Sequence, residues 1–585
     1  MTVSKVPFFA RFALLCTALL CAIPFLQPYH RNPLTAFYSE WFAIALGFGV
    51  ATVLLSRRAW APAEMPWVAL SPLALALLLV AHGLLGWSPY LGSALSAALV
   101  LIWAALLVVA VRALVRLSSL HAVLQIVAAG IAVGALLSAL VGCLQHAQLA
   151  TLVDSLVART TGAAIFGNLA QANHFASYTA LGLLALAYLH LRSRIGLVVL
   201  VLSSAPMLFV LGLSGSRTAA LYLLTSFALA AWFRWRTNDE AMRRLFLVCA
   251  CYFFGYCLMQ IGVGAGLFRV DARYSVTAVE RIATGGASLS DRISLWQSAW
   301  AIFLGQPLTG SGWGTFALHT FERAGDVFPA GGYQLYHNAH NLVFHLLAET
   351  GLAGIACAGL PLLAAIRFGS LQSDTRPELW LIVAAAAVLL LHSLLEYPLW
   401  YAYFLGLAAL LLGVAPLRVH ALRLSRYWQW IVLAMLCIGA VNLSALWLDY
   451  RRFESLFRSQ HHALYPHQIA EVMMRTHQNL LLRPYAEVAM ALPMTLDEAG
   501  LERQLYMNGR ALRFVPDATL VYRQVLLLAL ADRLPEAQQL LLQARHAYPA
   551  PPPAFERDLA RLAQAQPARF RPLLESAPRR AAAHP

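Results

Sequence analysis

Acidic charge and lysine are what this chain has least of. Of its 585 residues only 27 are Asp or Glu, and charged residues of both signs make up 12%. An ordinary soluble domain is about 25% charged. Lysine occurs once, as Lys5, and every other cation is an arginine. Cysteine is sparse and confined. Cys16, Cys21, Cys143, Cys249, Cys251, Cys257, Cys357 and Cys437 all fall within or at the ends of apolar runs, which excludes a disulfide scaffold. Cys249 and Cys251 form a CxC inside such a run and read as small core residues. No Gly-rich phosphate loop, HExxH, DxD pair or GxSxG stands in a suitable context, which argues against a nucleotide-driven pump and a metalloprotease. What is present is apolar. Hydrophobic residues make up 60% of the chain and the mean hydropathy is +0.65, which excludes disorder and a collagen-like repeat.

A membrane-crossing helix needs about 20 mostly apolar residues. About thirteen runs qualify, near 8–27, 38–56, 66–86, 91–111, 119–143, 172–191, 195–212, 218–234, 245–266, 341–366, 379–396, 398–415 and 427–447. The first follows Lys5 and contains Arg11, but it lacks a small-residue cleavage site, so it is expected to be a retained span. The net charge of +15 invites a nucleic-acid reading until the arginines are placed. With a cytoplasmic N-terminus, the cytoplasmic side holds Lys5, Arg11, Arg57, Arg58, Arg112, Arg116, Arg192, Arg194, Arg234, Arg236, Arg243, Arg244, Arg367, Arg376, Arg418, Arg423 and Arg426. The short far-side loops hold only Arg31, Arg159 and Arg217. That asymmetry is the positive-inside pattern. The charge reports orientation, and no nucleic-acid partner is expected.

The expected fold class is all-α: a polytopic transmembrane helical protein of about thirteen spans, whose far side is the periplasm in a bacterium. Residues 1–266 would form about nine spans, 267–340 a long periplasmic loop, 341–447 about four further spans and 448–585 a soluble periplasmic helical domain. The loop holds Gly310-Ser311-Gly312-Trp313-Gly314 and an amphipathic helix over Asp291–Phe303. The tail is ordinary in charge. Leu520–Leu530 and Glu536–Arg545 read as two amphipathic helices resembling one degenerate tetratricopeptide unit. The Pro-, Ala- and Arg-rich stretch after Pro549 is expected to fray.

Ionisable and polar residues at membrane depth are costly and mark candidate sites. Four groups map to the far side. The densest runs from Tyr336 through His337, Asn338 and His340 to Asn341, then His345 and Glu349. On helical spacing His337, Asn341, His345 and Glu349 share one face. A neutral histidine can take a proton from a hydroxyl nucleophile. A zinc site built on His337, His340 and His345 lacks a further matching ligand, so no metal or cofactor is expected. The second group, Ser214-Gly215-Ser216-Arg217-Thr218, sets an arginine among glycine and hydroxyls in a tight turn suited to an anion. In the third, Arg292 and Trp296 share a helix face, and Arg292 would be a second phosphate contact. The fourth, Gly167-Asn168 through Gln171, Asn173 and His174, offers amides and an imidazole to sugar hydroxyls or an acceptor chain, with Glu396, Tyr397 and Tyr401 opposite it. Two arginines and a histidine facing away from ATP suit a donor carried as a membrane-anchored pyrophosphate, with the arginines offsetting the leaving-group charge.

His340-Asn341, then nine residues, then Gly351-x-x-Gly354 resembles the motif of the O-antigen ligase and polymerase superfamily. Gly167-Asn168-x-x-Gln171-x-Asn173-His174 and the periplasmic tail resemble its protein O-oligosaccharyltransferases. The resemblance implies metal-free block transfer of a glycan from undecaprenyl diphosphate to Ser or Thr of an exported, pilin-like protein, with inversion at the anomeric carbon. It implies His340 as the catalytic histidine and Arg217 and Arg292 as the diphosphate arginines. Gln171 and one of Tyr397 or Tyr401 would be further essential positions. Asn168, Asn173, His174, His337, Asn341, Glu349 and Glu396 complete the expected substrate- and acceptor-binding set.

An O-antigen ligase acting on lipid A–core, or a polymerase, shares this chemistry and differs in acceptor. A lipid or solute transporter would carry ionisable groups at mid-bilayer depth, whereas these gather at the far-side mouths. A non-enzymatic scaffold would use the tail alone. The charge asymmetry makes one direct prediction. A reporter fused after residue 447 reads periplasmic; a cytoplasmic reading overturns the span count.

Overall fold

The computed structural model describes residues 7–575 except 61–62, 151–154, 159–164, 238, 269–285, 329–332, 367–375, 423–424, 426, 459–465 and 497. Each of the thirteen apolar runs is helical. Among the described residues ten helices are long and apolar enough to cross a membrane, including Leu91–Leu117, Leu120–His146, Ala172–Leu191, Glu240–Gly264, Leu342–Ile366, Arg376–Leu395 and Trp428–Ser455. Leu197–Leu213 and Ala402–Val414 are shorter apolar helices, and Thr218–Thr237, 20 residues long with Arg234 and Arg236 in its last turn, is not among the ten. The protein is a multi-pass membrane protein, and its exposed apolar side chains suit lipid rather than water. Leu77, Val198, Trp235 and Val441 are each about 70% exposed or more, or close to it. Against an expectation of helices alone, two short strands, Ala63–Pro66 and Val419–Leu422, pair antiparallel with Ala63 opposite Leu422.

The chain divides into two compact units, each discontinuous in sequence. The first comprises Met1–Ala76, Leu99–Gly286 and Cys357–Leu448; the second comprises Leu77–Ala98, Ala287–Ala356 and Asp449–Pro585. A division read along the chain follows the alternation of apolar and polar segments, whereas these units follow packing.

In the first unit, helix starts are set by local chemistry. Ser119 accepts a hydrogen bond from the Ala122 amide at 3.1 Å and opens Leu120–His146; Asp239 accepts from Ala241 at 3.1 Å and opens Glu240–Gly264. The first apolar run breaks at Cys21–Ala22, ahead of Pro24, into Phe8–Leu20 and Ile23–Leu26. Tyr178 of Ala172–Leu191 donates its hydroxyl to the Cys21 carbonyl at 2.6 Å at that break. A Cβ on Gly134 would stand 2.0 Å from the same hydroxyl, so glycine is what lets these helices meet. A fully buried carboxylate, Glu378, accepts from Arg192 Nε at 2.7 Å, His121 Nδ1 at 2.8 Å and the Tyr188 hydroxyl at 2.9 Å. Paired in this way, a charge is tolerated inside a helical bundle.

In the second unit, Ala518–Leu530 and Leu534–Ala547 form the helical pair expected from the sequence, each somewhat longer than the expected segment. Up to Glu575 the stretch after Pro549 is not frayed, and its remainder, 576–585, lies outside the described residues. Pro553–Ala565 and Pro567–Glu575 are helices, and Phe555, Leu559, Leu562, Phe570 and Leu573 are buried. Pro553 and Pro567 stand at the first helical position, where the missing amide hydrogen is not needed, so they start helices rather than break them; Pro572 lies within the second of these helices. The loop helix expected over Asp291–Phe303 runs from Gly286 to Gly305. Glu487 ties the segment before Leu91 to the tail helices. It accepts from the Tyr90 hydroxyl at 2.6 Å, Arg510 Nε at 2.8 Å and His477 Nε2 at 3.1 Å.

Burial opposes the Glu487 charge, but the Tyr90 and Arg510 hydrogen bonds outweigh it and hold the carboxyl below its ordinary 4.5. A lowered carboxylate pKa stabilises the fold above the unfolded value, and that contribution is lost as pH falls through the folded one. Glu487→Gln is therefore expected to destabilise the protein by about 1–3 kcal/mol at pH 7. Thermal unfolding in detergent at pH 7 and at pH 4 should show that difference shrinking at the lower pH.

Candidate active site

The expected site residues fall into two groups, one in each unit. In the first unit the loop before helix Ala172–Leu191 is held by two buried amides. Gln145 accepts from the Gly167 amide at 2.9 Å and donates to the Gly167 carbonyl at 2.7 Å and the Ala158 carbonyl at 2.9 Å. Asn168 accepts from the Ala158 amide at 2.9 Å and donates to the carbonyls of Leu26 at 2.6 Å and Leu156 at 2.8 Å. Asn168, expected at the substrate, is thus buried and committed to its own loop. Gly167 takes a left-handed φ of 58°, where a side chain would also meet Ser138 Oγ at 2.6 Å. Gln171 caps the helix, its side-chain oxygen accepting from the His174 amide at 3.3 Å.

Asn173 joins three elements. Its amide nitrogen donates to the buried Glu396 carboxylate at 2.9 Å, and its oxygen accepts from the Ser216 hydroxyl at 2.9 Å. Ser216 also lies 2.9 Å from the Thr218 hydroxyl, and Gly215 has φ 62°. This clamp fixes the turn that carries Arg217. The Arg217 side chain is half-buried and has no hydrogen-bonding or ion-pair partner among the described residues. A cation presented without a carboxylate is available to an anion.

Next to the clamp lies an aromatic and histidine cluster. His174 is 2% exposed; its Nδ1 stands 3.3 Å from the Tyr403 hydroxyl, and its ring packs edge-on against Tyr401 at 4.9 Å and His392 at 5.3 Å. Tyr397 and Tyr401 stack at 6.0 Å, so both tyrosines belong to one cluster. Burial raises the Tyr397 phenol pKa, and nearby Glu396 adds to the rise, which keeps that hydroxyl protonated near neutral pH. Three residues here escaped the reading of the sequence: Glu40, His392 and Gln145. Glu40 accepts from the Ala402 amide at 2.7 Å and so opens helix Ala402–Val414. Glu40 and His392 are ionisable residues inside apolar runs, which is the signal that finds them.

In the second unit, helix Leu342–Ile366 begins later than the expected four-residue stripe requires. Asn341 caps it, accepting from the amides of Val343 at 3.0 Å and Phe344 at 3.1 Å. His337 is exposed on the segment before the helix and does not share a helical face with His345 and Glu349. His340 precedes the cap with φ 49°, a left-handed conformation for a side chain larger than glycine. Its ring approaches Tyr336 at 6.4 Å. Trp296 stacks on Phe344 at 5.6 Å, which anchors the helix that carries the half-buried Arg292.

Glu349, also expected at the substrate, is 2% exposed and turned to its own loop. Its carboxylate accepts from the amides of Gly314 and Phe316, each at 2.9 Å, and pairs with His345 Nε2 at 3.3 Å. At Gly351 the helix kinks, with φ 61° and ψ −159°. The loop before it takes the backbone groups that the kink frees. Ser311 and Gly312 donate to the Ala348 and Glu349 carbonyls, while Leu352 and Ala353 donate to Pro307 and Leu308. A Cβ on Gly310 would stand 2.3 Å from the Thr350 amide nitrogen, so the loop reaches the helix only as bare backbone.

Three family descriptions match this chain: "Protein glycosylation ligase" over residues 165–190, "O-Antigen ligase" over 202–359 and "Virulence factor membrane-bound polymerase, C-terminal" over 380–563. A general O-oligosaccharyltransferase of Acinetobacter baylyi is 25% identical over 453 residues, 75% of this chain and 76% of that protein. A ComP-specific O-oligosaccharyltransferase of the same organism is 25% identical over 242 residues, 41% of each chain.

The Gly351 geometry lies where only glycine is comfortable, and a Cβ there would meet the Gly310 nitrogen and Leu308 oxygen at 2.6 Å. Gly351→Ala is expected to cost at least about 1–3 kcal/mol and to lower the Tm in detergent. Gly359→Ala, where a Cβ meets nothing within 4 Å, is the control and should leave the Tm unchanged or slightly raised.

Proposed function

We propose that this chain, which carries the sequence segments of the O-antigen ligases and protein glycosylation ligases, is a membrane oligosaccharyltransferase. It moves a preassembled glycan from a polyprenyl diphosphate, of the undecaprenyl type, to Ser or Thr hydroxyls of exported proteins such as pilins. The transfer takes place at the periplasmic face of the bacterial inner membrane, with the N-terminus cytoplasmic and the tail periplasmic. The observation that carries this reading is His340. It stands at the mouth of an apolar helix in a left-handed conformation that costs of order 1 kcal/mol or more and survives only where its surroundings impose it. In this reading His340 takes the proton of the acceptor hydroxyl as its oxygen attacks the anomeric carbon. The bond from that carbon to the diphosphate oxygen breaks, and Arg217 and Arg292 offset the charge of the departing diphosphate. The tyrosine hydroxyls and Gln171 are left to orient donor and acceptor. The match to a glycosylation ligase over residues 165–190 and the tail favour a protein acceptor over lipid A–core.

Mass spectrometry of exported proteins and of lipid A, with and without the chain, tests the acceptor. Glycan on Ser or Thr of exported protein supports the proposal; glycan on lipid A–core alone replaces it with the ligase reading. His340→Ala should abolish transfer while membrane insertion persists, and full activity in that variant overturns the mechanism. Arg217→Lys should slow transfer by about tenfold, because a point charge replaces a two-pronged donor; an unchanged rate removes Arg217 from the diphosphate.

A further inference from the structure

The left-handed backbone at His340 needs a cause, and a chain of polar contacts beneath it supplies one. The Ala339 amide donates to His345 Nδ1 at 3.4 Å. His345 Nε2 stands 3.3 Å from Glu349 Oε2. The Glu349 carboxylate is anchored in turn by the amides of Gly314 and Phe316. A neutral imidazole with its proton on Nε2 satisfies both of its neighbours at once, and the carboxylate selects that tautomer. The ring is locked in place. His345 is 3% exposed, with Phe316 at 5.2 Å and Trp313 edge-on at 6.3 Å. Ala339 itself is fully buried, so its amide needs a partner inside the protein.

We infer that His345 and Glu349 are positioning residues: a carboxylate–imidazole–amide relay that holds the backbone at Ala339 and thereby aims His340. The relay rests on the function proposed above, because it gives His340 something to be aimed at. It separates two jobs within one histidine-rich segment. His340 meets the substrate, while His345, one helical turn on, never does. It also links the glycines of the 310–314 loop to the reacting group. The loop's amides fix the carboxylate, the carboxylate fixes the imidazole, and the imidazole fixes the residue before His340.

Three variants of the full-length protein in detergent or nanodiscs test the relay: Glu349→Gln, His345→Asn and His345→Leu. Asparagine keeps an acceptor close to the Nδ1 position; leucine keeps none. Glu349→Gln and His345→Leu should lower kcat by about 10- to 100-fold with KM within about twofold, as small misplacement of a catalytic group does. His345→Asn should recover a substantial part of the loss. The acid limb of the pH–rate profile should stay where it is, since His340 remains the base. A displaced limb would make His345 itself a base and overturn the positioning role, as would equal activity in the Asn and Leu variants. A second readout does not depend on glycan transfer. The rate at which diethyl pyrocarbonate modifies His340, read by mass spectrometry against exposed His467, should change several-fold in Glu349→Gln and revert in His345→Asn relative to His345→Leu. An unchanged labelling rate sinks the relay even where wild-type transfer is confirmed. Absent wild-type transfer sinks the proposed function and leaves the labelling to judge the relay. If Glu349→Gln fails to accumulate, the His345 pair carries the same test.

Discussion

Inside a bilayer no water is at hand for a backbone amide or carbonyl, so every break in a helix must be answered by another part of the protein. The irregular segments of this chain obey that constraint through a small number of polar side chains. Gln145 and Asn168 take the amides and carbonyls of the loop around Gly167. Glu40 takes the first amide of Ala402–Val414. Glu349 takes two amides of the loop before Phe316, and the kink at Gly351 passes its freed amides to Pro307 and Leu308. Tyr178 answers the break at Cys21. These residues are polar because backbone must be satisfied, and the candidate site is built from the irregular backbone they hold.

That explains why polar residues at helix mouths divide into two kinds. Asn168 directs every useful atom at backbone, and Glu349 spends its carboxylate on two backbone amides and on His345. Arg217 has no partner among the described residues and stands on a turn that Asn173, itself held by Glu396, fixes through Ser216. The first kind makes a rigid frame, and the second kind is what the frame presents. A reading from residue types alone treats both as candidate ligands, because an asparagine in a GN motif looks the same whether it holds a loop or a sugar.

Much of the fold was legible because the bilayer imposes a length and a polarity on every span. The thirteen apolar runs all became helices for that reason. The tail prolines misled because proline signals both the start and the end of a helix, and only the burial of Phe555 and Phe570 distinguishes the two. The expected helical stripe from His337 to Glu349 failed at its first member. Its spacing was right, but the helix starts at Leu342, after a capping asparagine and a left-handed histidine that break the period. Glu40 and His392 were visible in the sequence as ionisable residues within apolar runs, but Glu40 meets Ala402 and His392 meets His174, contacts between segments far apart in the chain.

The sequence by itself determined that this is a helical membrane protein, which apolar runs are helical, where the uncommon polar residues lie and which motifs it shares with glycan ligases. Those properties are written locally, in runs of about 20 residues and in short spacings. Tertiary structure alone decided which polar residues serve backbone and which are left over. It also decided that Gly351 is a kink rather than a packing position, and that His340 is held in its conformation from below by His345. A hydrogen bond's partner is set by which segments meet in space, and pairs such as Asn173 with Glu396, or Glu349 with Gly314, have no signature in the order of residues.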